Sequence, residues 1–211
     1  MSLSVTSQNT FTAYLQPAIK IANKVNEKYS QSFSIENRNI IYDNQSAIYE
    51  VKHIDFAHVS TIYWTSEYAM GLGLKYRLEH SFRPTKENEI RLQEQVVYTP
   101  KKSLYKTAHR LRAEQRFYKS VTKHRFRYQL GYTFPLNDQK SSRPYIKAST
   151  ESLFEVARTQ NPEIEQRLAL GYGWWLGNQT SLQFGAEYQL KDYLEDMHHR
   201  LILMVDVGLR F

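Results

Sequence analysis

Two stretches of the chain set acids beside histidines, the pairing that general acid–base chemistry uses. Asp192, Glu195, Asp196, His198 and His199 crowd into residues 192–199. An imidazole next to a carboxylate can take up and hand on a proton near neutral pH. His53, Asp55 and His58 form a second group. On an extended strand His53 and Asp55 share a face and His58 falls on the other, so no metal site is expected there. There is no cysteine, which removes disulfides and thiolate metal sites. No serine or other nucleophile stands at a spacing that recommends a triad. Acids and histidines in a loop also serve simply as a solvated rim that meets lipid headgroups. The expectation is therefore no catalytic residue, no cofactor and no metal.

The other residues able to do chemistry are charged side chains that recur at every second position. They are Glu36, Arg38, Lys75, Arg77, Glu79, Glu89, Arg91, Arg110, Arg112, Glu114, Arg116, Arg125, Arg127, Lys147, Glu151, Arg167, Glu187, Arg200, Asp206 and Arg210. Period two places such residues on one face of a strand. On neighbouring strands they come within about 5 Å of one another. Arg110, Arg112 and Arg116 should then meet Glu89 on one side and, past Arg125 and Arg127, Glu151 on the other.

What positions them is alternation with apolar residues. The last stretch, HRLILMVDVGLRF, puts Leu201, Leu203, Val205, Val207, Leu209 and Phe211 on one face. Arg200, Asp206 and Arg210 lie on the other with Ile202, Met204 and Gly208. RFRYQLGYTF, RLALGYGWW, SLQFGAEYQLK and MGLGLKYRLE repeat the pattern. A strand greasy on one side and ionic on the other suits a barrel with lipid outside and a polar lumen inside. The 16 Tyr, 10 Phe and 3 Trp suit strands and the aromatic girdles of such barrels. No run of about 18 apolar residues offers a membrane helix. The mean hydropathy of −0.60 does not argue against a barrel, because only alternate residues would meet lipid. The net charge of +7 is spread over many strands with no basic run, so no nucleic-acid partner is expected.

The expected fold is all-β: a closed antiparallel transmembrane up-and-down β-barrel. Eleven strands can be marked, near 11–24, 29–42, 51–63, 67–80, 88–98, 107–118, 124–134, 144–156, 164–175, 180–191 and 198–211. Bacterial single-chain barrels have an even number. Twelve strands are therefore expected, or else ten, with residues 1–10 a periplasmic segment or a short extra strand and residues 11–211 the single barrel domain. Pro17 suggests a bulge or a strand end, and a change of phase near Phe56–Val59 suggests a bulge. Glu94 stands on the apolar phase without explanation. Trp174 and Trp175 read as interface anchors. The start, MSLSVTSQNTF, has no basic and apolar leader, so an export signal would have been removed.

The series HRLRAEQRF, RFRYQLGYTFPL, PYIKASTESLFEV and RLALGYGWWLGNQTSLQFGAEYQL, ending in an amphipathic strand, resembles the outer-membrane barrel family labelled domain of unknown function 2490. The resemblance covers roughly residues 11–211. It implies a barrel and a Gram-negative outer-membrane address, and it carries no activity.

Four functions compete. The first is a structural or accessory barrel with its lumen filled by Arg/Glu ion pairs. The second is a narrow, porin-like, anion-leaning small-solute channel, since rings of Arg or Lys favour anions. The third is a rim-sited lipid- or peptide-modifying enzyme using Asp192 to His199. The fourth is a soluble lipocalin-like carrier, which needs apolar residues inside and pays for buried charge. Expected partners are membrane lipid and lipopolysaccharide, an envelope protein complex, and the outer-membrane assembly machinery. The last of these would read Val207, Leu209 and Phe211 in the C-terminal strand.

Overall fold

A computed structural model describes residues 10–101, 105–136, 142–158, 160–192 and 197–211. The strands are β1 (Thr10–Asn26), β2 (Tyr29–Asp43), β3 (Ser46–Tyr63), β4 (Tyr68–Leu78), β5 (Glu89–Tyr98) and β6 (Lys106–Phe117). They continue as β7 (Thr122–Pro135), β8 (Ser142–Ala157), β9 (Gln160–Leu176), β10 (Thr180–Lys191) and β11 (His198–Arg210). Each pairs with its sequence neighbours, and β1 meets β11 to close the barrel. No helix is present among the described residues.

The expectation of twelve or ten antiparallel strands is corrected. Eleven strands close the sheet, and the closing pair is parallel, from Thr10↔His198 to Ala22↔Arg210. An odd number of hairpin-linked strands leaves the first and last pointing the same way, so only a parallel ladder can join them. Such a ladder pairs backbone N–H and C=O groups as fully as an antiparallel one. Past its end, the Phe211 N–H donates to Ala22 O at 2.9 Å and its carbonyl accepts from Lys24 N–H at 3.0 Å. Residues 1–9, where an extra strand was expected, lie outside the described residues.

Two irregularities are informative. Between β1 and β2 the paired residues run from Leu15↔Asn39 to Ala18↔Glu36 and skip Gln16 and Pro17. Proline has no N–H to give to a ladder, so the register continues while the bonds lapse. Between β2 and β3 the register shifts from Arg38↔His53 to Asn39↔Val51. The bulge therefore sits at Lys52, not near Phe56–Val59, where pairing with both neighbours is unbroken.

Turn chemistry fixes the hairpins. Asn44 and Gln45 link β2 to β3 with φ of 41° and 74°, the left-handed pair that a two-residue hairpin turn demands. Gly177, φ 68°, does the same work after β9. β2, β4, β6, β8 and β10 finish at one end of the barrel. β1, β3, β5, β7 and β9 finish at the other, with Phe211.

The polarity is inverted relative to a soluble protein. Leu72 (65% exposed), Leu170, Phe126, Ile19 and Phe33 project outward, while Glu89, Glu114, Asp55, Glu151, Arg91 and Arg116 are buried inside. Among the described residues the one apolar cluster inside is small: Tyr14, Ile40 and Ile202, with Met204 packed against it. Inner glycines admit neighbouring side chains. A Cβ on Gly173 would meet Tyr145 Oη at 2.6 Å and the Leu182 carbonyl at 2.9 Å, whereas one on Gly131 would meet nothing closer than 3.9 Å. Gly173→Ala should therefore cost about 1–3 kcal/mol. Gly131→Ala should cost under about 0.5 kcal/mol. A urea titration of the refolded barrel checks both, and equal losses would contradict the inner packing.

Candidate functional site

The inner face of β3 to β9 is a chain of ion pairs built by the register. Glu36, Asp55 and Arg77 lie directly across from one another on β2, β3 and β4. Asp55 accepts from Arg77 at 2.7 and 2.8 Å and from Lys75 at 2.9 Å. Glu89 on β5 accepts from Arg91 at 2.7 Å and from Arg116 at 2.9 and 2.8 Å. Arg116 also reaches Glu155 on β8 at 2.5 Å, joined there by Arg125 and by Lys123 at 3.3 Å. Arg127 bridges Glu114 at 2.9 Å and Glu151 at 2.5 Å. Arg91 and Arg112 lie 3.5 Å from Glu114, and Arg110 and Arg167 lie 3.6 Å from Glu151. Charges taken out of water need this degree of pairing.

The registers therefore bring Arg116 to Glu89 and Arg127 to Glu151, as the spacing predicts. Arg110 and Arg112 do not reach Glu89. Arg112 donates instead to Gln95 at 3.0 Å, and Arg125 turns to Glu155 rather than Glu151. The remaining charged positions also face inward: Glu36 beside Arg38 at 4.0 Å, Glu79 near Arg83, and Glu187 hydrogen-bonded to Gln189. Asp206 accepts from Gln183, and Arg210 stacks 4.1 Å from the Trp175 ring. Trp175 is thus an inner-face residue, while Trp174 faces outward against Tyr172 and Phe184.

Among the described residues, the ion pairs join residues on one strand, on adjacent strands or on strands two apart, save Lys24–Glu27 at the β1–β2 turn and the pairs of Arg83 in the β4–β5 loop, which reaches Glu79 and Glu50. The pairs run along the wall and leave a cavity of about 870 Å³. Its lining begins at Thr85, Lys86 and Glu87 in the β4–β5 loop and extends to Arg110, Gln129 and Met204. Lys and Arg outnumber Asp and Glu in that lining by two to one. Lys20, Lys147, Asp206 and Arg210 lie beyond it.

At the loop end, Tyr118 donates to Glu89 at 2.7 Å and accepts from Arg116. Burial pushes the Tyr118 phenol above its usual value. Glu87 accepts from the Ser120 N–H at 3.0 Å and its hydroxyl at 3.1 Å, tying the β4–β5 loop to the β6–β7 turn. Those bonds hold the Glu87 carboxyl below its usual value.

Of the acid–histidine cluster at 192–199, Asp192, His198 and His199 are among the described residues, and the two histidines take opposite faces of β11. Glu195 and Asp196 lie outside the described residues. The Asp192 N–H donates to Ile164 O at 2.8 Å. His199 faces outward against the Tyr188 hydroxyl. His58 is likewise outward, beside Phe33. Glu36, His53 and Asp55 come close enough to share an ion, but Lys75 and Arg77 already occupy both Asp55 oxygens.

Sequence reasoning missed Lys20, Lys52, Lys123 and Glu165 as inner charges, while the alternation of PYIKASTESLFEV sets Glu155 on one face with Lys147 and Glu151. Glu165 follows the period-two phase and was legible there. Lys52 was not, because only the bulge turns it inward. Glu94 does face outward, opposite Leu72 and Ala113, with no ion pair or hydrogen bond among the described residues.

No curated protein and no solved structure matches this chain. Residues 17–198, most of the barrel, match one family model, and the chain belongs to that family, described as protein of unknown function, DUF2490.

Proposed function

We propose that this protein is a bacterial outer-membrane β-barrel with a structural or accessory role, its interior stiffened by Arg/Glu ion pairs. The observation that carries this reading is the polarity of the wall. Leucines, isoleucines and aromatics cover the outer surface, and the ionic groups are buried within. A closed sheet satisfies every backbone group that lipid cannot. A soluble carrier with an apolar interior is the reverse arrangement. The alternating C-terminal strand, with Val207, Leu209 and Phe211 on its outer face, suits recognition by an assembly machinery. Envelope lipid and a partner protein complex are the expected neighbours.

A second reading, an anion-leaning conduit, is favoured by the cavity and its cationic excess. The experiment is fractionation followed by planar-bilayer recording on the same preparation. The protein should sediment with outer membranes and give no stepwise current. Stable steps that favour anions would replace the accessory role with the channel. Recovery in the soluble fraction would end both.

A further inference from the structure

Most inner cations lie close to a carboxylate, but on the side of the barrel that holds Tyr14, Lys52 and Arg200 have no ion pair among the described residues and Arg38 has only a long one. Among the described residues Lys52 makes one hydrogen bond, to the Tyr14 hydroxyl at 3.3 Å, and stands 4.7 Å from that ring. Arg200 on β11 lines the cavity with no ion pair or hydrogen bond among the described residues. Arg38 gives its Nε–H to Gln16 at 2.6 Å and lies 4.0 Å from Glu36. The charges acting most strongly on Lys52 are Arg200 and Arg38, and the carboxylate that opposes them, Glu79, is engaged by Arg83 at 3.4 Å.

Beside them lies an apolar cluster, the only one of the interior among the described residues, of which Tyr14, Ile40 and Met204 line the same cavity. The placement follows from register, because Tyr14 pairs with Ile40 on one side and Ile202 on the other. A third feature points the same way. His53 is fully buried, lines the cavity, and neither ring nitrogen has a hydrogen-bond partner among the described residues, Nε2 standing 4.0 Å from Asp55. Buried polar atoms in a folded protein ordinarily have one. The bulge that turns Lys52 inward sets it next to His53, so two donors face the cavity from consecutive positions. Bulges commonly re-aim side chains in this way at binding sites.

We propose that the cavity holds a small amphiphile with an anionic head, a phosphate monoester or a carboxylate. The head is held by Lys52, Arg38 and Arg200 with His53, and the apolar part lies on Tyr14, Ile40 and Met204. A volume of about 870 Å³ falls in the range of small-molecule sites. An apolar surface beside unpaired donors favours such a ligand over a bare ion. The site does not depend on whether the barrel conducts.

The test is calorimetric titration of the full, refolded chain in zwitterionic micelles with hexyl phosphate, inorganic phosphate and hexyltrimethylammonium. Hexyl phosphate should bind the wild-type protein about tenfold more tightly than either of the others. Lys52→Met and Arg200→Gln should each weaken it about tenfold or more, as loss of a charge-assisted contact does. Lys24→Gln, at the opposite end of β1, should leave it unchanged. Equal binding of the ammonium probe would overturn the proposal. So would equal binding of inorganic phosphate, which would leave a simple anion site, or binding indifferent to both variants. The comparison of probes on wild-type protein decides the matter even if a variant does not refold.

Discussion

Glu89→Gln is expected to destabilise the barrel by about 3–5 kcal/mol, the usual cost of removing one partner from a buried ionic group. Glu89 is 1% exposed and accepts from both Arg91 and Arg116, with Arg77 at 3.9 Å and the Tyr118 hydroxyl at 2.7 Å. The amide leaves those largely buried guanidinium groups without their counter-charge. It also points N–H donors at donors. Glu36→Gln is the control, because its side chain is 26% exposed and its nearest cation, Arg38, is 4.0 Å away. That change should cost under about 1 kcal/mol. Reversible urea unfolding in detergent or vesicles measures both. Similar losses at the two positions would mean that the wall's ion pairs contribute little to stability.

The second large effect concerns the outside. Leu130→Arg, about midway along β7, should cost about 2–4 kcal/mol when the barrel is refolded into bilayers. Gln129→Arg, one residue away, should cost far less, since Gln129 lines the cavity and a guanidinium there faces polar space. Adjacent residues differ because the strand turns them to opposite solvents. In a soluble protein whose outer face met water, the order would not hold, and Leu130→Arg would be close to neutral. The pair thus tests the membrane placement separately from the fold.

The partition of each strand into an apolar and an ionic face was legible in the sequence because it is local. Leu201 and Arg200, or Leu168 and Arg167, are sorted by adjacency alone, and no distant residue alters that. The eleven strand positions were legible for the same reason. The even strand count was wrongly inferred, because closure is not a local property. Whether β1 meets β11 directly depends on all the strands between them, and a parallel pair satisfies the backbone as well as an extra strand would.

Partner choice was partly legible. Arg116 with Glu89 follows from the pairing of β5 with β6, but Arg125 with Glu155 depends on a register that no spacing within either strand sets. Lys52 shows the limit most clearly. Its parity in the chain assigns it to the outer face with Ile54 and Phe56, and one bulge opposite Arg38 and Asn39 sends it inside. Alternation along the chain determined which residues are greasy and which are ionic. Only the closed sheet decided which charges meet, which stay unpaired beside Tyr14 and Ile40, and that a cavity remains between the walls, because those outcomes belong to registers between strands far apart in sequence.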